Sequence, residues 1–75
     1  MAKWELKRVG WLRHRIRIYR NDMWVITLEP FRHSEGGAVH YCPGWCSLEY
    51  ESDTELRRAL EHALTTVDGS GIISP

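Results

Sequence analysis

Residues 12–19, Leu-Arg-His-Arg-Ile-Arg-Ile-Tyr, alternate along an eight-residue stretch. Side chains alternate across a strand with period two. The segment therefore predicts a β-strand with Arg13, Arg15 and Arg17 on one face and Leu12, Ile16 and Ile18 on the other. Trp4 to Val9 alternates more loosely and predicts a short strand ending at Gly10. An alternative joins the two strands, with Gly10 as a bulge. Asn21-Asp22 is a turn signal. Trp24-Val-Ile-Thr-Leu-Glu29 predicts a further strand, stopped by Pro30.

The apolar pattern also selects a hairpin register. A two-residue loop at Asn21-Asp22 pairs Arg17 with Ile26 and mixes charge with apolar residues. An odd loop, Asn21-Asp22-Met23, pairs Ile18 with Ile26, Ile16 with Leu28, Arg17 with Thr27 and Arg15 with Glu29. A slip of one residue inverts every side chain, so the odd loop is expected. Its solvent face is Arg13, Arg15, Arg17, Tyr19, Val25, Thr27 and Glu29. After a mobile polar loop at residues 32–37, Ala38 to Cys42 and Trp45 to Tyr50 predict two strands around Pro43-Gly44, a strong turn dipeptide. Their register aligns Tyr41 with Cys46 and Val39 with Leu48. Those four and Tyr50 share an apolar face, and His40, Cys42, Trp45, Ser47 and Glu49 share the other.

Ser52-Asp53-Thr54-Glu55 is a capping box. It opens a helix over residues 52–67 with Leu56, Ala59, Leu60, Ala63, Leu64 and Val67 on one side. Its outer side carries Arg57, Arg58, Glu61 and His62, read as solvated. The leucines are expected to pack on Ile16, Ile18, Ile26 and Leu28. Gly69 ends the helix and residues 69–75 are a tail. The expected fold class is α+β. An antiparallel meander of four to five strands, with one C-terminal amphipathic helix on one sheet face, forms a single domain over residues 1–68. One helix covers only one face, so the arginine face is expected to stay open.

Seventy-five residues sit near the lower size limit for a self-sufficient core. Four Trp, three Tyr and one Phe are enough to build one without covalent help. No apolar run reaches the roughly 20 residues of a membrane span and no signal-peptide pattern opens the chain, which predicts a cytoplasmic protein. Two cysteines fit a reducing compartment. Net charge is zero, yet residues 1–32 hold eight Lys/Arg against three acids and residues 33–75 hold two against seven. That asymmetry points to an electrostatic partner.

Arginine is a planar, permanently charged fork suited to phosphate and carboxylate, and neighbouring aromatics stack on bases. The expected partner-binding residues are Arg13, Arg15, Arg17, Tyr19, Thr27 and Trp45. His33, His40, Cys42 and Cys46 are residue types that bind zinc. However, Cys-x-x-x-Cys is a poor knuckle spacing, and the hairpin parity separates the two thiols. No metal or other cofactor is expected. Scattered histidines, no nucleophile context and no phosphate loop predict a non-enzyme.

The strands-then-helix order, with Trp45-Cys-Ser-Leu-Glu-Tyr-Glu-Ser-Asp-Thr-Glu-Leu-Arg-Arg-Ala-Leu running from the last strand into the helix, resembles AP2-type and integrase arm-binding domains. The resemblance spans about residues 12–65. It implies a three-stranded sheet laid into the DNA major groove, with Arg and Trp contacting DNA. The extra N-terminal strand and the acidic C-terminal half depart from it. The expected function is a non-enzymatic binding protein that docks its arginine face on nucleic acid or a nucleic-acid-handling complex. One alternative is a protein-only inhibitor or adaptor of the phage or mobile-element type, such as an anti-CRISPR-like protein, using the same face against an acidic protein surface. Another is a small structural zinc domain. An exposed edge strand also offers pairing to a second copy.

Overall fold

The computed structural model describes residues 2–10 and 14–69. It is an α+β fold: a five-stranded antiparallel meander in the order β1-β2-β3-β4-β5, with one helix packed on it. The strands are β1 (Trp4–Val9), β2 (Arg15–Arg20), β3 (Met23–Pro30), β4 (Gly37–Tyr41) and β5 (Cys46–Tyr50), followed by α1 (Asp53–Gly69). Arg13 lies outside the described residues, as do Trp11 and Leu12 and the tail beyond Gly69.

The β2–β3 hairpin keeps three of the four expected pairs and changes how they arise. Ile16 faces Leu28, Arg17 faces Thr27 and Ile18 faces Ile26, but the loop is not odd. Arg20 pairs with Met23, so the turn is the two-residue Asn21-Asp22, with φ of 50° and 66°. Positive φ at both central residues is the conformation whose twist suits a two-residue hairpin. Asn21 closes the corner further, its N–H donating to the Lys3 carbonyl at 2.8 Å and its Oδ1 accepting from the Lys3 N–H at 2.9 Å.

Parity is restored in the strand. The register shifts between Ile18 and Tyr19, where Tyr19 faces Trp24 and Ile18 faces Ile26. Val25 is the extra residue of a β-bulge, two residues opposing one. The expectation that Val25 lies on the solvent face is therefore corrected: Val25 is fully buried in the core cluster.

In the second hairpin the register is as expected, with Tyr41 opposite Cys46 and Val39 opposite Leu48. The strands stop one residue short of the turn, leaving Cys42–Trp45 outside them with a cis Cys42–Pro43 bond. The loop before β4 is closed by two hydrogen bonds. The Phe31 N–H donates to the Gly36 carbonyl at 2.9 Å, and the Gly36 N–H to Ser34 Oγ at 3.3 Å. Gly37 is required there: a Cβ would stand 2.5 Å from the Glu29 carbonyl oxygen and against the Tyr50 ring.

Helix α1 begins as a capping box does, the Glu55 N–H donating to Ser52 Oγ at 3.2 Å. The return bond goes one residue further back than expected, from the Glu51 N–H to the Glu55 carboxylate at 2.6 Å. Gly69 is the last residue of α1 rather than the first of the tail. The residues that reach the sheet most deeply are not the leucines. Ala59, Ala63 and Val67 are buried, while Leu56, Leu60 and Leu64 are half-buried on the flanks. Small residues at i, i+4 and i+8 let the helix backbone approach the sheet closely. Its backbone lies closest to β4 and β5, and Ile16, Ile18, Ile26 and Leu28, the residues expected under the helix, belong with its leucines to the same packed core. The helix side of β1 is consequently open at Leu6, 67% exposed, while Arg20, paired with Asp68 of α1, lies over the Trp4 ring.

Candidate binding surface on the open sheet face

Pairing places Lys7, Arg15, Arg17, Tyr19, Thr27, Glu29, His40, Ser47 and Glu49 on the face turned away from α1. The bulge adds a residue that strict alternation assigns to the other side. Trp24 faces Tyr19, and the Arg17 guanidinium carbon lies 4.2 Å from its ring centroid, within cation–π range. Trp45 meets Trp24 from the β4–β5 turn, with ring centroids 4.7 Å apart and planes tilted by 52°. Trp24 and Trp45 are 38% and 42% exposed. A bulky residue at positive φ is unusual and costs backbone energy; Trp45 is held at φ 50°.

Beneath the tryptophans lies a polar network. The Trp24 indole N–H donates to the Thr27 hydroxyl at 2.8 Å. Glu29 takes Arg15 at 2.9 Å on one oxygen and His40 Nε2 at 3.1 Å on the other. A carboxylate only accepts, so the imidazole donates from Nε2; in the neutral ring Nδ1 then accepts from the Ser47 hydroxyl at 2.7 Å. These bonds fix the His40 ring in place. Arg15, Trp24, Thr27, His40 and Trp45 line a depression of about 260 Å³. That is smaller than pockets enclosing a drug-sized ligand, which run from roughly 300 to 1,000 Å³.

Of the expected contact residues, the face brings together Arg15, Arg17, Tyr19 and Trp45. Thr27 is also on it but 7% exposed, covered by the indole it holds. Tyr19 is half-buried with Lys7 Nζ 4.7 Å from its ring centroid. The sequence reading missed Trp24 and Lys7, and took His40 as a zinc-type residue rather than as a partner of Glu29. The signal for Trp24 was the conflict between a two-residue turn dipeptide and an apolar pattern demanding odd parity; a bulge satisfies both.

Cys42 and Cys46 are free thiols. Burial raises the Cys42 pKa, and the Cys46 thiol lies 3.6 Å from the Pro43 carbonyl oxygen. Among the described residues no group of three or more His, Cys, Asp or Glu is placed to hold a metal ion, so His33, His40, Cys42 and Cys46 do not assemble the ligand set a structural zinc domain needs. Among the same residues no helix is long and apolar enough to cross a membrane.

No family model, no curated protein and no solved structure matches the chain. The likeness to AP2-type and arm-binding domains is one of element order alone.

Proposed function

We propose that this chain is a non-enzymatic nucleic-acid-binding protein that takes a single strand across its open sheet face. The observation that carries the reading is the exposed, tilted Trp24–Trp45 pair bordered by Arg15 and Arg17. Every base has a π-face, and stacking on an aromatic side chain is worth about 1–3 kcal/mol per base. Trp45 supplies the stacking surface, and Trp24 supports it from below. Lys7, the exposed Arg15 and the half-buried Arg17 supply charge for the phosphates. Glu29 and Glu49 on the same face keep the field moderate, in line with a neutral chain that binds through stacking as well as charge.

Tryptophan fluorescence titrated with a short oligothymidylate tests this directly. Binding should quench the emission, and affinity should fall with salt at a log–log slope of about −2 if three cations each meet a phosphate of a single strand. Trp45→Gly relaxes the positive-φ backbone and removes the stacking ring, so it should fold and fail to bind. Arg15→Ala with Arg17→Ala should weaken binding without unfolding the domain. Absence of quenching at low salt would remove the nucleic-acid reading. The same face would then be tested as the docking surface of a protein-only inhibitor or adaptor.

A further inference from the structure

β1 is an edge strand whose helix side is open at Leu6, 67% exposed, and partly covered at Trp4, 38% exposed, where the Arg20 guanidinium lies over the ring and pairs with Asp68 of α1. The bonding between Lys3 and Asn21 sets which of its backbone groups are free. Lys3 accepts from and donates to Asn21, so it occupies a hydrogen-bonded position of the β1–β2 ladder. Antiparallel ladders alternate bonded and non-bonded pairs. Glu5, Lys7 and Val9 therefore bond toward β2, and Trp4, Leu6 and Arg8 present their N–H and C=O groups to the open edge. An unpaired row of this kind is a template for another strand.

We propose that this edge pairs with the same edge of a second copy, antiparallel and with Leu6 opposite Leu6 on the two-fold axis. The register follows from the side chains. In a continuous sheet, residues directly opposite share a face, so the axis passes through one residue of β1. Centring on Leu6 sets Glu5 against Lys7 of the other copy on the open face, twice. It sets Trp4 against Arg8 on the helix face, also twice, a cation–aromatic pairing, and brings the two leucines together between them. Six backbone hydrogen bonds form from the free groups of Trp4, Leu6 and Arg8. Shifting the centre to Glu5 or to Lys7 places like charges face to face on the axis, which is destabilising. Charges on an edge strand ordinarily discourage pairing. Here their signs alternate about Leu6, so they disfavour the neighbouring registers centred on Glu5 and Lys7, and a register centred on Trp4, which also opposes Lys3 and Glu5, overlaps only the start of β1.

The two-fold axis stands perpendicular to the sheet, so both open faces point the same way. A ten-stranded sheet then carries two Trp24–Trp45 shelves on one surface, roughly 25 Å apart at the usual strand spacing. The pairing itself depends only on β1 and not on the reading of the open face.

Sedimentation equilibrium over a range of concentrations tests the proposal. The mass should rise toward twice the 8.8 kDa of one chain. Lys7→Glu sets a second carboxylate against Glu5 of the other copy and should weaken dimerisation by about tenfold or more. Glu5→Lys combined with Lys7→Glu exchanges the charges and should restore it. Circular dichroism checks that each variant keeps the fold. A chain that stays monomeric at millimolar concentration overturns the proposal. So does a Lys7→Glu variant that is folded and dimerises like the parent, or a double variant that is folded and stays as weak as the single one.

Discussion

Trp24 donates its indole N–H to the hydroxyl of Thr27, three residues along the same strand, at 2.8 Å. In a regular strand, residues i and i+3 point to opposite faces, so this bond is incompatible with unbroken alternation. It exists because Val25 is an extra residue that turns inward and returns Trp24 to the side of Thr27. One bulge thus fills the core with a valine and equips the open face with an indole.

Thr27→Val keeps the shape of the side chain and removes the acceptor. The expected cost is about 0.5–1.5 kcal/mol, that of one hydrogen bond, read by denaturant melts. Trp24 should become more mobile against Trp45, visible as a change in near-ultraviolet circular dichroism.

Gly37→Ala should be among the most damaging single changes in the sheet. The added methyl would meet the Glu29 carbonyl oxygen and the Tyr50 ring, and the backbone atom has no rotamer by which to move aside. Overpacking typically costs about 1–3 kcal/mol, occasionally more. A melting temperature equal to that of the parent would show that β4 carries slack the structure does not display.

The helix interface ranks its residues against intuition from size. Leu60 is half-buried on the flank, so Leu60→Ala should cost only about 1–2 kcal/mol, less than a fully buried leucine. Ala63 is fully buried against the sheet. Ala63→Leu should lift α1 off β4 and cost more than the leucine truncation. Chemical denaturation of the two variants gives the order directly.

Tyr50 gives a pH dependence with a definite sign. Burial, with a smaller contribution from the nearby Asp53 carboxylate, raises its pKa in the folded chain. Its neutral form is therefore favoured by folding. The contribution is fully present below the unfolded value of about 10 and is lost as pH rises toward the higher folded value. Melting temperatures from pH 8 to 11 should fall less steeply for Tyr50→Phe than for the parent. The difference between the two curves isolates this tyrosine from the lysines titrating in the same range.

The sequence by itself determined the order of strands and helix, the α+β class, the pairing in the middle of the first hairpin and throughout the second, and the existence of an arginine-bearing open face. Those follow from local periodicity: Ile16, Ile18, Ile26 and Leu28 must share a side, and Ser52 with Glu55 marks where the helix starts. What only the tertiary structure decided is where parity breaks and what lies over what. An odd loop and a two-residue turn followed by a bulge satisfy the same apolar pattern in the middle of the strands. They differ only in whether Val25 or Trp24 goes inside, and that depends on the space left by Val39, Tyr41 and Val67 in the assembled core. The depth of Ala59 and Ala63, and the bare flank at Leu6, likewise depend on how far across the sheet a 17-residue helix reaches, a distance no local pattern records. The tryptophan shelf and the exposed β1 edge belong to this second kind, because each is made by elements that meet only when the chain is folded.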